Sequence, residues 1–145
     1  MHGLCFTSIM NEQTYYRVSI KGVVLDDDGR ILITKEDNGK WEMLGGGLEH
    51  GEDPKECLVR EIREETGLKV TSISERPLYF LTCPRLGHDS FVANVVYQIA
   101  LENLDFIPSD ECQELGFFSP EEMQTLDLFP NVEKLVEILT AGDQS

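Results

Sequence analysis

The chain has 145 residues, room for one compact domain and not two. Hydrophobic residues make up 41% of it, enough for a packed core and too many for a disordered chain. Acidic residues outnumber basic ones 27 to 12, and the resulting net charge of −15 repels nucleic acid, anionic membranes and, unless a local positive charge is supplied, phosphates.

Residues 1–14 read as a tail or edge segment and 15–145 as the domain. Met1 to Met10 is mildly apolar but lacks the basic flank and long apolar stretch of a secretion signal. No run of 18 apolar residues is present, so no membrane span is expected. Cys5, Cys57, Cys83 and Cys112 lie 26 to 52 residues apart without a C-x-x-C pair. That spacing suggests free thiols in a reducing cytoplasm rather than a zinc site or disulfide framework.

In chain order, residues 17–25 (RVSIKGVVL) are rich in β-branched side chains and predict a strand. Asp28-Gly29 is a hairpin signal, with residues 30–34 returning as the second strand. Asp26-Asp27-Asp28 lacks the spacing of a calcium loop and reads as part of that turn. Gly45-Gly46-Gly47 predicts a glycine-rich loop. A helix follows over 54–66, with Asp53 as N-cap, Pro54 at its first position, Glu56 completing a capping box and Gly67 ending it. Residues 76–82 and 91–101 predict strands around a turn-rich loop from Pro84 to Ser90, and 114–118 a further short strand. Ser119 to Glu122 opens a short helix with a second capping box. The last helix covers about 131–140, where Val132, Leu135, Val136 and Leu139 form a core-facing stripe. Strands on both sides of a central helix indicate a mixed α/β domain.

Chemistry concentrates between Gly46 and Leu68. On the helix, Glu61, Glu64 and Glu65 are spaced i, i+3, i+4 and fall within an arc of about 100°. Three carboxylates on one face weaken an isolated helix, but they are what a hard divalent cation seeks. The adjoining arc, Leu58, Val59 and Ile62, is expected to pack on the sheet, with Glu65 at the border between core and cleft. Burial there would raise its pKa unless a cation stabilised the anion. Arg60 is placed to pair with Glu64 or Glu52. A solvated acidic face explains the helix alone about as well, since charge runs are ordinary on exposed helices. A glycine-rich segment delivering into it favours a site, because glycines let the backbone approach a ligand closely.

The segment resembles the Nudix box, G-x5-E-x7-R-E-U-x-E-E-x-G-U with U a bulky aliphatic residue. It is matched at every fixed position by Gly46, Glu52, Arg60, Glu61, Ile62, Glu64, Glu65, Gly67 and Leu68. At ordinary residue frequencies a chance match is on the order of one in ten million. Trp41 to Gly45 is similar to the family's W-E-L-P-G lead-in, with Leu44 in place of proline. Phe117 to Glu122 resembles its W-F-x-x-E-E-L stretch.

The resemblance implies a Nudix-type, MutT-like α/β/α sandwich with a mixed β-sheet. It also implies a hydrolase that cleaves a phosphoanhydride bond in a nucleoside diphosphate derivative, such as a nucleoside triphosphate or a nucleotide sugar. Mg²⁺ or Mn²⁺ would be held by Glu61, Glu64, Glu65, the carbonyl of Gly45, and Glu111, which lies six residues before Phe117. Glu61, Glu64 and Arg60 would be catalytic; the general base is Glu61 in some members and a loop glutamate in others. Lys35 is a candidate phosphate contact or an exposed lysine. Asn131 is a candidate base-reading residue or simply the N-cap of the last helix. Pro84, sixteen residues past Leu68, matches a proline common in members acting on ADP-ribose, although turns recruit proline anyway. The expected partner is a small nucleotide, and a homodimer is compatible with the sequence; nucleic acid and membrane are not expected. The rival reading is a non-catalytic nucleotide-binding module on the same fold, although such a module would be expected to lose box carboxylates that this chain keeps.

Overall fold

A computed structural model describes residues 13–142. The expected N-terminal segment falls almost wholly outside that range, as does Cys5. Among the described residues, eight strands and three helices run in order: β1 (Tyr16–Val23), β2 (Ile31–Lys35), β3 (Trp41–Glu42), β4 (Leu44–Gly47), α1 (Pro54–Thr66), β5 (Val70–Ile73), β6 (Tyr79–Pro84), β7 (Phe91–Leu101), β8 (Glu114–Phe118), α2 (Pro120–Met123) and α3 (Pro130–Gly142).

The larger sheet is mixed. Its long strand β7 runs parallel to β1 along one edge and antiparallel to β6 and β5 along the other, while β4 closes the far side of β1 as an antiparallel edge. A smaller sheet has the order β3-β2-β8. Two apolar cores fill the spaces on either side. Ile20, Leu44, Tyr97 and Ile99 pack with Leu58 and Ile62 of α1. Val23, Val96, Leu81, Trp41 and Met43 pack with Val132 and Leu135 of α3. The result is the expected three-layer α/β/α sandwich.

The Asp28-Gly29 turn forms as expected. Gly29 lies at φ 78°, and the Asp26 carboxylate accepts from the Asp28 and Arg30 amides and from Arg30 Nε at 2.8–2.9 Å. The flanking strands do not stay paired as a hairpin. Beyond the Leu25–Ile31 bridge, β1 and β2 part into different sheets. The reason is burial on both sides of β2: Ile31 and Ile33 face the α3 core and Leu32 the α1 core. Meanwhile both edges of β1 are taken by β4 and β7.

The glycine run is a strand, not a loop. Gly45, Gly46 and Gly47 pair with Lys21, Ile20 and Ser19. Three glycines read as loop chemistry, but a strand without side chains can lie unusually close to its neighbours. Gly45 shows the constraint most sharply. It sits at φ 115°, and a Cβ there would lie 2.1 Å from the Ile20 carbonyl oxygen.

Helix α1 spans the residues the sequence predicts. Asp53 accepts from the Lys55 and Glu56 amides at 3.0 and 3.2 Å, and Gly67 closes the helix at φ 75°. The reciprocal bond that would complete the box, from the Asp53 N–H to the Glu56 carboxylate, is absent among the described residues. At α2, by contrast, both halves of the Ser119–Glu122 box are present. The buried stripe of α1 is Cys57, Leu58, Ile62, Glu65 and Thr66; Val59, expected inside, lies partly exposed on the outer side. Helix α3 starts one residue earlier than expected because Pro130 takes its first turn. The Phe129 carbonyl accepts from the Val132 and Glu133 amides, so Asn131 is inside the helix and is not its N-cap.

Gly45→Ala is expected to destabilise the fold by more than about 2 kcal/mol, since it combines a strained φ with a backbone collision between paired strands. Chemical denaturation checks this. A loss no larger than that of Gly29→Ala, where a Cβ meets nothing within 4 Å, would contradict the close approach of β4 to β1.

Candidate active site

The side chains of β1 alternate. Val18 and Ile20 turn toward α1, while Arg17, Ser19 and Lys21 turn toward the α3 side. The second row is polar where a core-facing strand is expected to be apolar, and it forms the floor of a cleft. Asn94 of β7, registered with Ser19, continues that floor. Phe129, Pro130 and Asn131 form one wall and Pro84 to Leu86 another, and strand β4 with Glu42 forms the rim. Asn131 is buried and donates Nδ2 to Asn94 Oδ1 at 3.2 Å.

On the other side of β4 lies the carboxylate face of α1. The Arg60 guanidinium is its hub. Nε and Nη2 grip Glu52 at 2.7 and 2.9 Å, and Nη1 reaches Glu61 at 3.0 Å and Glu64 at 3.2 Å. The sequence offered Glu52 or Glu64 as the partner, and Arg60 takes both together with Glu61. Hydrogen bonding by Arg60 holds the Glu52 carboxyl at about 2. Glu61 is pressed against Gly46, where a Cβ would lie 2.5 Å from its Oε2. Glu64 is the most exposed of the three helix glutamates, at 58%.

Glu65 is buried, as its place at the edge of the apolar stripe implied. Its Oε1 accepts from the Gly45 amide at 2.7 Å. Burial, with Glu111 and Glu61 adding repulsion, pushes its pKa up to about 8 against the opposing pull of Lys21 and the Gly45 N–H. The Gly45 carbonyl accepts from Lys21 Nζ at 3.1 Å, and Lys21 lies 3.6 Å from Glu42. Burial works against the Lys21 ammonium, but Glu42, Glu65 and Glu36 outweigh it and leave its pKa above the ordinary value. Glu36 is driven up to about 7 by burial, with Glu42 and Glu111 contributing.

Among the loop acids, Glu111 is exposed, yet close enough to raise both Glu65 and Glu36. Glu114 turns instead to Lys35, at 3.3 Å, which sets Lys35 in a surface ion pair away from the cleft lining. Of the described histidines, His50 is exposed outside the cleft and His88 is exposed on its outer loop. The three described cysteines are buried and unpaired, and burial first of all pushes the Cys57 thiol up to about 12.

The donor set suits a hard cation. Glu61, Glu64 and Glu65 offer only carboxylate oxygen, and each keeps one oxygen with no hydrogen-bond donor among the described residues. As they stand, no three His, Cys, Asp or Glu side chains among the described residues are gathered tightly enough to enclose an ion. Lys21, Glu42, Asn94 and Arg17 were missed in the sequence. A lysine two residues from Ser19 and four from Arg17, inside a β-branched run, carried the signal: a whole strand face was polar.

The sandwich sets a carboxylate-bearing helix against a glycine edge strand, and similarity to known proteins says which class it belongs to. The NUDIX domain profile matches residues 15–139. A MutT-like protein of Streptomyces ambofaciens is 50% identical over 56 residues, 38% of this chain and 36% of that protein. The nucleoside triphosphatase NudI of Salmonella paratyphi B is 30% identical over 118 residues, covering 72% of this chain and 84% of the relative. The solution structure of the E. coli ORF135 protein superimposes with a TM-score of 0.71 at 23% identity, over 88% of this chain and 91% of that one. The chain belongs to the NUDIX domain family and is a Nudix hydrolase. No helix among the described residues is long and apolar enough to cross a membrane.

The Glu52–Arg60 pair makes stability depend on acid. A carboxylate held at about 2 contributes fully above its unfolded value, about 4.3, and loses that contribution as pH falls toward 2. Glu52→Gln should therefore lose stability at neutral pH and show a flatter stability profile between pH 5 and 2. Parallel profiles for the two proteins in acid denaturation would contradict the pairing.

Proposed function

We propose that the chain hydrolyses a phosphoanhydride bond in a nucleoside diphosphate derivative with the help of Mg²⁺ or Mn²⁺. A nucleoside triphosphate is the first substrate to test. The observation that carries this reading is the placing of Glu61, Glu64 and Glu65 on one face of α1, across strand β4 from the cleft, each with an oxygen that receives no hydrogen bond from the described residues. The relative named as a nucleoside triphosphatase supports the choice of substrate.

In this reading Glu61, Glu64, Glu65 and Glu111 hold the metal, with the Gly45 carbonyl as an added ligand. When bound, the divalent cations neutralise phosphate charge and make a water more acidic. Arg60 positions Glu61 and Glu64 and, by holding Glu52, fixes the loop before α1 to the same face. Glu61, oriented by Arg60 and braced on Gly46, takes the proton from the attacking water. Lys21 keeps the rim of the cleft in place through Gly45 and Glu42. The Asn94–Asn131 pair offers amides toward a nucleobase. Lys35, held by Glu114, is not assigned a substrate contact.

Turnover of nucleoside triphosphates should need Mg²⁺ or Mn²⁺ and stop with excess chelator. Glu65→Gln should lower it at least about a hundredfold, the size of losing one transition-state electrostatic contact, with the fold intact. Full turnover in EDTA together with a near-normal Glu65→Gln variant would remove the proposal. A second comparison tests the loop ligand. Glu111→Gln should raise the metal concentration needed for half-maximal turnover or lower turnover itself, whereas Glu114→Gln should stay close to the parent protein. The reverse order would transfer the role to Glu114.

A further inference from the structure

The box fixes Gly46 but leaves the next position open, and this chain puts a third glycine there. The structure shows what that glycine admits. A Cβ on Gly47 would lie 2.0 Å from Arg17 Nη2 and 2.7 Å from its Cζ, so the guanidinium rests directly over the Gly47 backbone. The neighbouring Gly46 has Glu61 against its other face. Arg17 therefore stands at the border between the carboxylate cluster and the cleft, with only strand β4 between it and Glu61.

The Arg17 guanidinium also has no hydrogen-bond or ion-pair partner among the described residues. Among the described residues, carboxylates within ion-pair distance engage Lys21, Arg30, Lys35, Lys40, Arg60 and Lys134, and none engages Arg17. In a chain with 27 acidic and 12 basic residues, a cleft-lining guanidinium left without a carboxylate is positioned for an anion from outside. A guanidinium fork matches two oxygens of a phosphate.

We propose that Arg17 binds the non-bridging oxygens of the substrate phosphate on the cleft side of β4, the phosphate attached to the nucleoside. The assignment rests on the phosphoanhydride reading above, and it makes Arg17 a substrate-binding residue, distinct from the metal-holding glutamates. It also gives the third glycine a role. Gly47 keeps the guanidinium low against the strand, where it can meet a phosphate lying over Gly46 and Gly47. Arg85, the other cleft arginine without an ion-pair partner among the described residues, sits on the wall after β6 and is not assigned this contact.

The test needs neither metal nor turnover. In EDTA, ¹H–¹⁵N spectra are followed while AMP and CMP, and separately adenosine and cytidine, are titrated into the protein. The parent protein should bind the monophosphates at least about tenfold more tightly than the nucleosides, the scale of one charge-assisted contact. Arg17→Gln should abolish that preference, Arg17→Lys should keep part of it, and Arg85→Gln should keep nearly all. Gly47→Val leaves Arg17 in the chain but lifts its guanidinium, and it should reduce the preference as Arg17→Gln does. Spectral dispersion shows whether each variant is folded. A preference retained by Arg17→Gln, a preference lost in Arg85→Gln alone, or equal binding of nucleoside and monophosphate by the parent protein would each overturn the assignment. Because hydrolysis is not measured, failure here is separable from failure of the metal-dependent activity.

Discussion

The peptide of Gly45 is held from two sides. Its N–H donates to Glu65 of α1, and its carbonyl accepts from Lys21 of β1. These bonds tie the helix that carries the carboxylates to the edge strand, and the edge strand to the floor of the cleft. Only glycine can be there, since the φ is 115° and the Ile20 carbonyl would meet any Cβ. A larger residue would part β4 from β1 and release Glu65 and Lys21 together. The helix face and the cleft, on either side of edge strand β4, are registered through this single strand.

Electrostatics then decides what the site can hold. Glu61, Glu64 and Glu65 crowd one helix face in a chain of net charge −15, and repulsion alone would disperse them. Arg60 offsets part of that repulsion by holding Glu61, Glu64 and Glu52 at once. Lys21 compensates Glu65 and Glu42 from the other side of the strand. Burial first of all, with Glu111 adding repulsion, still raises Glu65 and Glu36 against the pull of Lys21. Carboxylates kept close together without full compensation are suited to receiving a hard cation, and the cation in turn would make a polyphosphate acceptable to an acidic protein.

Much of this was legible in the residues. Helix α1 was fixed by local chemistry, with Asp53, Pro54 and Gly67 acting within a few residues of its ends, and so its limits matched the reading. The Glu61–Glu64–Glu65 face followed from helical spacing alone. What escaped depends on partners distant in sequence. The strand nature of Leu44–Gly47 is decided by its pairing with β1, and three glycines give no propensity signal for it. The separation of β1 from β2 comes from a second core that only the assembled sheets create. Asn131 read as a cap because capping is local, whereas its buried bond to Asn94 spans 37 positions. The polar row Arg17, Ser19 and Lys21 was visible as an alternation, but it acquires meaning only once one face of β1 is known to open into a cleft.

If the free oxygens of the α1 glutamates form the metal site, crystals soaked in Mn²⁺ will show anomalous density against the carboxylates of Glu61, Glu64 and Glu65, locating the ion without reference to any substrate. That density should be lost when Glu64 and Glu65 are both replaced by glutamine. Density at another acidic cluster, such as the Asp26–Asp28 turn, with the α1 face empty at saturating Mn²⁺, would contradict it.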